Sequence, residues 1–568
     1  MSTKPVAPYP NSLVDLAGRT WGFVSEGLVS TSWGPLASLA KKAVILLLQN
    51  ITVGQLSIRT GSHHYVFPAG RTGNPESSSR SHSIVVKDGP GPRAELRIIN
   101  NAFWVRLCAM SDLGFGEAFM YGDVECDDLV SLFEVFLANQ ASLSKLDSRF
   151  SSLFTLPQRL INSYRFLNTL GNTRSNISAH YDISNEMFAA FLSEDMTYSC
   201  AIFPELDSDL KAGAPKVPWV EGTALREHLS STLAALKPSK KHQIDVVRGS
   251  ISESYDSTSS GTTSVINNST RCTTPASPSE SEDPLYEAQM AKIQHIMDKL
   301  HIPEPRYDSN GTVVPLHVLE IGSGWGSMSI QLATSYPHVQ IDTLTLSSAQ
   351  KELAEERIAT RGLSERITVH LMDYRDMPPE WEGRFARMVS VEMIEAVGRE
   401  FLEKYWEVVD WALDKKCGVG VVQVITIPEA RFEKYSREVD FIQKWSKFFP
   451  GGFLPSLTYL ITTLTSGSSG RLVVDSVSNI GPHYSRTLRE WRRRFEERFE
   501  DHIVPALKKE WNAREGNRSM SRDEIDVFKR KWIYYYCYCE VGFSTRILGD
   551  HIVTFAREGP NTAYGCDI

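Results

Sequence analysis

The stretch Val318-Leu-Glu-Ile-Gly-Ser-Gly-Trp-Gly326 decides the fold of this chain. An apolar run with one acidic residue passes directly into three glycines at alternate positions, and apolar residues at helical spacing follow from Met328 to Ala333. This order predicts a buried strand, a tight turn and the start of a helix. Glycines let the backbone of such a turn approach a ligand where a Cβ would clash, and the first N–H groups of the helix can donate to that ligand. The stretch therefore predicts a ligand-binding turn in an α/β protein.

Apolar runs downstream of this turn are typical of a doubly wound sheet. They cover Val339–Leu346, Ile367–Leu371, Met388–Val391 and Val419–Ile427. A helical pattern separates the first of these runs from the second. Strands that alternate with helices usually pair in parallel, because each crossover returns the chain to the same end of the sheet. We therefore predict an α/β fold with a doubly wound, mostly parallel sheet.

The spacing of the three glycines separates two kinds of nucleotide site. In the dinucleotide fingerprint the third glycine lies one residue further on. Alternate glycines after an acidic residue instead resemble motif I of Rossmann-like S-adenosylmethionine (SAM) methyltransferases, in which the turn faces the methionine end of SAM. A generic turn whose glycines serve packing is the alternative, and the succession of strands and helices favours the methyltransferase.

Length, composition and charge limit the class of protein. The chain has 568 residues, which is too long for one core and indicates two or more domains. Its net charge of −8 argues against binding nucleic acid through a positive field over the whole protein. The eight cysteines show no zinc-like spacing, so we expect reduced thiols, no metal and a cytoplasmic location. The most apolar run, Ala43–Leu48, is far below the ~20 residues that span a bilayer, and we expect no transmembrane segment.

Composition also divides the chain into segments. Residues 1–35 are rich in Ser, Gly and Pro and predict a flexible N-terminus, and residues 36–170 predict a small α+β domain. Residues 171–568 are assigned to the methyltransferase domain, with a low-complexity insert at 237–284 that cannot bury enough apolar surface to become ordered. The elements expected in and after the small domain are strands at Ile51–Ile58, Ser83–Lys87, Ala94–Ile99 and Phe103–Leu107, and helices at Leu129–Ala138 and Tyr286–Leu300.

Further segments narrow the class of methyltransferase. They are His180-Tyr-Asp-Ile-Ser-Asn185, Met196-Thr-Tyr-Ser-Cys-Ala-Ile-Phe203, Glu392-Met-Ile-Glu-Ala-Val-Gly398 and the run from Phe441 to Leu457. Together they resemble the cyclopropane-fatty-acyl-phospholipid synthase family, which includes the mycolic acid cyclopropane synthases. The stretches Gly114–Gly122 and Trp532–Arg546 match as well, so the resemblance covers roughly residues 40–557 without the insert. The long insert and Gln423 suggest a eukaryotic, plant- or fungal-like member.

The resemblance implies a reaction on lipid. A cis double bond in a phospholipid acyl chain attacks the methyl group of SAM, a carbocation forms on the chain, and a base removes a proton from the new methyl so that a cyclopropane ring closes. The base is sought in a bound bicarbonate, which the resemblance places with Cys200, Glu395, Gln423, the main chain of Ile425, and Tyr484. Gln423 stands where the family has His, and Gln can donate to an anion but cannot titrate near neutrality. Ala396 stands where bacterial members have a second His.

The resemblance also implies a set of SAM contacts. These are Tyr198, Ser199, Glu320, Gly322, Gly324, Gly326, Thr345, Ser347, Gln350, Asp373 and Tyr374. Ser347 and Gln350 form a capping-box pattern as well, so helix capping is an alternative for that pair. Aromatic faces can stabilise a carbocation, although core packing is the alternative for each ring. The aromatic candidates are Tyr181, Phe188, Tyr198, Phe203, Trp445 and Tyr484.

We therefore predict a SAM-dependent C-methyltransferase that forms cyclopropane fatty acids. Its expected partners are phospholipid acyl chains at a membrane surface, with peripheral attachment, and a homodimer is compatible with the sequence. The alternatives are a methyl-branched product, a sphingolipid acceptor, or a catalytically idle lipid-binding scaffold. Sphingolipid methyltransferases are expected to carry N-terminal membrane spans, and because we expect no transmembrane segment here, that acceptor is disfavoured. An intact glycine turn with Cys200, Glu395 and Tyr484 argues against an idle scaffold.

Overall fold

A computed structural model describes residues 34–68, 91–143, 184–211, 283–437, 441–444, 452–515 and 520–559. The predicted strand at Ser83–Lys87, the segment from His180 to Ile183, Trp445 and nearly all of the predicted insert lie outside these residues.

The strands, in chain order, are β1 (Gln55–Arg59), β2 (His64–Phe67), β3 (Arg93–Ile98), β4 (Val124–Cys126), β5 (Arg306–Tyr307), β6 (Val313–Val314), β7 (Leu316–Ile321), β8 (Val339–Thr345), β9 (Ile367–Leu371), β10 (Arg387–Val391), β11 (Val419–Thr426), β12 (Leu472–Asn479) and β13 (Gly549–Arg557).

The α-helices are α1 (Gly34–Leu48), α2 (Ala102–Met120), α3 (Leu129–Ala138), α4 (Gln140–Leu143), α5 (Asn185–Phe191), α6 (Ser208–Lys211), α7 (Pro284–Leu300), α8 (Ser327–Ser335), α9 (Ser348–Thr360), α10 (Leu402–Ala412), α11 (Glu429–Tyr435), α12 (Phe441–Lys444), α13 (Leu457–Gly467), α14 (Gly481–Glu497), α15 (Val504–Glu515) and α16 (Arg522–Ser544). Short 3₁₀ turns lie at Tyr374–Asp376, Pro379–Trp381, Ile394–Ala396 and Arg399–Phe401, and a π-helical turn at Phe499–Ile503.

The larger sheet has seven strands in the order β12-β13-β11-β10-β7-β8-β9. Strands β7 to β11 pair in parallel, whereas β13 runs antiparallel between β11 and β12. All eight residues of β11 are buried, as expected for a strand covered on both faces. This sheet confirms the predicted doubly wound, mostly parallel α/β fold, and it adds β12 and β13, which the sequence patterns did not reveal.

The predicted turn joins β7 to α8. Gly322, Gly324 and Gly326 all have positive φ, at +101°, +49° and +88°. Side chains other than glycine rarely adopt these values, which explains the alternate glycines. The strand, the turn and the helix that the sequence predicted are therefore confirmed at this point.

A smaller sheet, β2-β1-β3-β4, lies among the residues before 144. The predicted helix at Leu129–Ala138 is confirmed, and Asp128 caps it by accepting from the N–H groups of Val130 and Ser131. The predicted strand at Phe103–Leu107 is wrong, because these residues form the first turns of α2. Burial of Phe103 and Trp104 in the core of this region outweighs the strand preference of an aromatic, β-branched run.

The core of the smaller sheet continues into the C-terminal part of the chain. Tyr534 on α16 packs among Phe115, Phe119, Phe133 and Phe441, with ring centroids 4.3–6.2 Å apart. In the part of the chain that the structure describes, no helix has the length and apolar character needed to cross a bilayer.

Candidate active site

A cleft of about 1300 Å³, counted out to its open mouth, lies at the carboxyl ends of β7, β8 and β10. Ligands of doubly wound sheets bind at this edge. Most of the residues predicted to contact SAM line it, and they come from four separate segments of the chain. They are Tyr198, Ser199, Glu320, Gly322, Gly324, Thr345, Gln350, Asp373 and Tyr374.

Two predicted SAM contacts, Gly326 and Ser347, are not among the cleft-lining residues. Gly326 is the N-cap residue of α8. Ser347 caps α9, where its hydroxyl accepts from the N–H of Gln350 at 3.2 Å. Gln350 itself reaches the cleft, and its side-chain oxygen accepts from Thr345 at 2.8 Å. The structure thus gives Ser347 the helix-capping position that was the alternative for this pair.

The glycine turn shapes the floor of the cleft. A Cβ added to Gly322 would lie 3.2 Å from the side chain of Met393, whereas one added to Gly324 would meet no atom within 4 Å. The space at Gly324 is therefore open toward the cleft. Beside the turn, the carboxylate of Glu320 accepts from the hydroxyls of Ser329 and Thr343, and burial raises the pKa of Glu320 to about 7.

Glu392, which the sequence reasoning did not single out, is the centre of a hydrogen-bond cluster in the same cleft. One carboxylate oxygen accepts from the main-chain N–H of Cys200 and from Nε2 of Gln423, both at 2.8 Å. The other accepts from the phenol of Tyr484 at 2.6 Å. Three of the residues predicted to surround a small anion therefore meet at one carboxylate.

Glu395 lies one turn further along, and it also lines the cleft. One of its oxygens accepts from the main-chain N–H of Ile425, the fourth predicted position, while the other has no partner among the described residues. Burial, with a contribution from the negative charge of Glu392, raises the pKa of Glu395 to about 8. This carboxyl group is therefore protonated at neutral pH.

Two further ionisable groups adjoin the cluster. Asp550 on β13 accepts from Nε2 of Gln423 at 2.8 Å, and burial, reinforced by Glu392, raises its pKa well above the usual range. Lys292 on α7 is buried, and its ammonium group donates to Ser199 at 2.6 Å. Burial lowers the pKa of Lys292, while the neighbouring Glu392 opposes that shift. The cluster thus combines three carboxyl groups with one nearby cation.

The Cys200 thiol lies within reach of the charges of Asp550 and Glu392. Its sulfur lies 3.4 Å and 3.6 Å from the carbonyl oxygens of Ala201 and Ile480, and the residue is fully buried. Burial raises the pKa of the thiol well above its usual range, so it is neutral and a poor nucleophile. The hydrogen bond from Cys200 to Glu392 comes from its main-chain N–H.

Aromatic rings close one side of the site. Tyr198 packs on Trp491 with ring centroids 4.9 Å apart, and Tyr484 stacks on Phe543 at 4.3 Å. Phe188 lies 5.3 Å from Tyr198, whereas Phe203 lies under the guanidinium of Arg486. Of the aromatic candidates, Tyr198 lines the cleft itself. Tyr484 is buried among these rings.

A Rossmann-like sheet whose glycine turn lines such a cleft defines the class of SAM-dependent methyltransferases. The family model for mycolic acid cyclopropane synthetase matches residues 169–217 and 243–549, and the chain belongs to this family. It is therefore a SAM-dependent methyltransferase of a lipid-modifying family.

Similar proteins include enzymes with different products. Tuberculostearic acid methyltransferase of Mycobacterium tuberculosis is 31% identical over 79% of this chain and 79% of its own length. Cyclopropane-fatty-acyl-phospholipid synthase of Escherichia coli is 25% identical over 84% of this chain and 91% of its own length. Among solved structures, the cyclopropane synthase MmaA2 from Mycobacterium tuberculosis is 19% identical, with a TM-score of 0.43 over 68% of this chain and 98% of the other.

The protonated state of Glu395 gives a prediction about stability. The folded protein holds this proton up to about pH 8, whereas a carboxyl group with the ordinary pKa of 4.5 loses it earlier, so stability falls as the pH rises between these values. Gln cannot release a proton. We expect the stability of Glu395→Gln relative to the wild type to increase from pH 5 to pH 8, by about 1–3 kcal/mol. Urea unfolding at several pH values measures this difference.

The control for this prediction is Glu497→Gln, because Glu497 is exposed and pairs with Arg493 on the surface. The stability of this variant relative to the wild type is expected to stay constant over the same pH range, within about 0.5 kcal/mol. A constant difference for Glu395→Gln as well would show that Glu395 is ionised in the folded protein.

Proposed function

We propose that this protein methylates a cis double bond in an unsaturated acyl chain of a phospholipid and closes a cyclopropane ring there. The observation that carries the proposal is the shared cleft, in which the glycine turn at Gly322 and Gly324 and the carboxyl groups of Glu392 and Glu395 are brought together. A methyl donor and a proton acceptor are the two groups that this reaction needs side by side.

The residues of the cleft fit SAM. Gly324 leaves open space where a side chain would stand, and Gln350 and Thr345 offer polar groups beside it. Glu320 places an acidic group along the same wall, which suits a ligand with an ammonium and a sulfonium centre. When bound, SAM supplies an electrophilic methyl group. The chain's own residues then hold the acceptor, exclude water and take up the released proton.

The aromatic wall supports this chemistry. A positive charge that develops on an acyl chain is destroyed by water but tolerated next to aromatic faces. Tyr198, Trp491, Tyr484 and Phe543 form a continuous group of rings beside Glu392. We propose that they keep the reacting carbon atoms dry and that the acyl chain enters from a membrane surface, to which the protein attaches peripherally. A homodimer and a eukaryotic origin stay predictions.

Bicarbonate fits the residues less well than SAM does. The donors expected to hold it are already engaged, because Cys200, Gln423 and Tyr484 donate to Glu392, and the N–H of Ile425 donates to Glu395. We derive no step through bicarbonate.

A methyl-branched product is the second candidate, and a specific observation favours it. A relative at 31% identity is named tuberculostearic acid methyltransferase and not cyclopropane synthase. Both products share the methylation step and differ in how the positive charge on the chain is discharged. A sphingolipid acceptor has weaker support, since the sphingolipid C9-methyltransferase of Komagataella phaffii matches 37% of this chain.

Expression in a bacterial host that makes unsaturated phospholipids but no cyclopropane rings tests the proposal. We expect acyl chains that gain one methylene in mass and that catalytic hydrogenation leaves unchanged. A product of the same mass that takes up hydrogen would indicate a methylene branch, and one heavier by two hydrogens would indicate a saturated methyl branch. An unchanged lipid profile, with expression verified and SAM binding intact, would overturn the proposed substrate and favour the idle scaffold.

A further inference from the structure

Glu392 stands where a separate anion would have to bind. Its two oxygens receive three hydrogen bonds, from the N–H of Cys200, the amide of Gln423 and the phenol of Tyr484, at 2.6–2.8 Å. These donors come from three segments that are 192, 31 and 92 positions away from Glu392. A carboxylate and a bicarbonate present the same pair of oxygens to such donors. These three donors form a cradle for an anion, and a side chain of the protein itself fills it.

The backbone indicates that this side chain is specifically required. Glu392 has a φ of +47°, in the left-handed region where glycine is the favoured residue. A glutamate there is strained relative to glycine. Its N–H is fixed by donation to the carbonyl of Gln423 at 2.8 Å. This conformation directs the carboxylate into the cluster, and the three donors offset the strain.

A second anion is disfavoured by the carboxylate of Glu392 and by donors that are already paired. Glu395 and Asp550 adjoin Glu392, and Lys292 is the cation that acts on Glu392 and Asp550. Another negative ion in this buried region would face carboxyl groups and would have to displace donors that are already paired. Glu392 itself retains contact with the cleft, which it lines next to Val391 and Met393. It is thus placed to meet a bound acyl chain.

We propose that Glu392 is the built-in base of this site and replaces the exogenous bicarbonate that the family resemblance implied. The inference rests on the proposed function. After methyl transfer, a C–H bond of the new methyl group breaks, its electron pair forms the bond that closes the ring onto the cationic carbon, and the proton passes to Glu392. The carboxylate becomes a neutral carboxyl group, which returns the proton to solvent after the product leaves.

The division of tasks between the two glutamates follows from their partners. Burial raises the pKa of Glu392, but its three donors and the nearby Lys292 oppose that shift by stabilising the negative charge. Glu395 accepts from the main-chain N–H of Ile425, its other oxygen has no hydrogen-bond partner within the described part of the chain, and burial raises its pKa. Glu395 therefore serves as a neutral positioning residue that fixes the segment from Glu392 to Ala396 against Ile425.

Three variants test the proposal in the full-length protein. Glu392→Gln keeps the shape and removes the charge, Glu392→Gly removes the side chain at a φ that suits glycine, and Glu400→Gln is a matched control at an exposed position nearby. We expect product formation to fall at least about a hundredfold for both Glu392 variants, as is typical when a positioned base is lost, and to stay at the wild-type level for Glu400→Gln. SAM affinity should change less than about threefold.

Bicarbonate dependence provides the decisive contrast. The wild type is expected to keep its turnover in buffer depleted of carbon dioxide, whereas Glu392→Gly should recover activity when bicarbonate or formate is added. Glu392→Gln should not recover, because its amide still fills the cradle. Loss of wild-type activity on depletion, or unimpaired turnover of Glu392→Gln, would overturn the proposal and leave the proposed function intact.

A binding measurement separates this proposal from the choice of substrate. Titration with ¹³C-labelled bicarbonate, followed by NMR line broadening in the presence of SAM, is expected to show binding to Glu392→Gly and none to the wild type. The comparison requires no lipid acceptor. Specific binding of bicarbonate to the wild type that Tyr484→Phe weakens would overturn the built-in base. Absence of lipid product in every variant, with this binding pattern retained, would count against the proposed substrate alone.

Discussion

A Gly324→Val variant is expected to lose at least about a hundredfold in SAM affinity, which corresponds to about 2.7 kcal/mol. Gly324 lines the cleft, and a Cβ there meets no protein atom within 4 Å. The valine side chain can therefore occupy the space into which the turn admits a ligand, without displacing a protein neighbour. Calorimetric titration with SAM, or with its demethylated product, measures the loss.

The control for Gly324→Val is Gly362→Val. Gly362 also has positive φ, at +66°, also has open space around its Cβ position, and lies after α9 at the surface. Both substitutions should destabilise the fold by about 1–2 kcal/mol, because L-residues are strained in the left-handed region. Only Gly324→Val should weaken SAM binding. Equal affinities for the two variants would show that SAM does not approach this turn closely.

The parts of the fold that sequence predicted are those encoded by local patterns. The glycine turn could be recognised because glycines at three alternate positions follow a strand directly, and the structure gives all three a positive φ. Strands β8, β10 and β11 are recognisable because nearly all of their residues are buried, which favours apolar side chains along them. By contrast, β12 exposes alternate residues, and nothing local reveals that β13 inserts antiparallel between β11 and β12.

The candidate site shows a similar division. The family resemblance supplied Cys200, Gln423 and Tyr484, and the structure brings them together at Glu392. The role of Glu392 depends on an unusual backbone angle and on donors from distant segments, neither of which a spacing pattern can express. The hydrogen bond from Cys200 to Glu392 comes from its main-chain N–H, a donor that any residue type except proline carries. The available signal was a second glutamate, directly after β10 in the same motif as Glu395.

Asp410→Ala is expected to destabilise the folded protein by about 3–5 kcal/mol, because it leaves a buried positive charge without its counter-ion. Asp410 on α10 accepts hydrogen bonds from Arg557, which is buried at the end of β13, and from Arg471 at 3.1 Å. Arg557 thereby ties the strand that carries Asp550 to the helix layer. Urea unfolding measures the loss, and removal of the exposed Glu497 should cost less than about 1 kcal/mol.

The double variant Asp410→Ala with Arg557→Met identifies the physical cause. If the loss comes from an unpaired buried charge, replacing that charge by an apolar side chain of similar length should restore at least about half of the stability. If the stability losses of the two single variants simply add in the double variant, the ion pair is not the origin of the effect. In that case the hydrogen bonds from Arg557 to the carbonyl oxygens of Asp410 and Leu413 stabilise this end of β13. β13 also positions Asp550 next to Gln423. If the double variant restores stability, turnover should therefore recover as well, which would link the anchoring of this strand to the geometry of the Glu392 cluster.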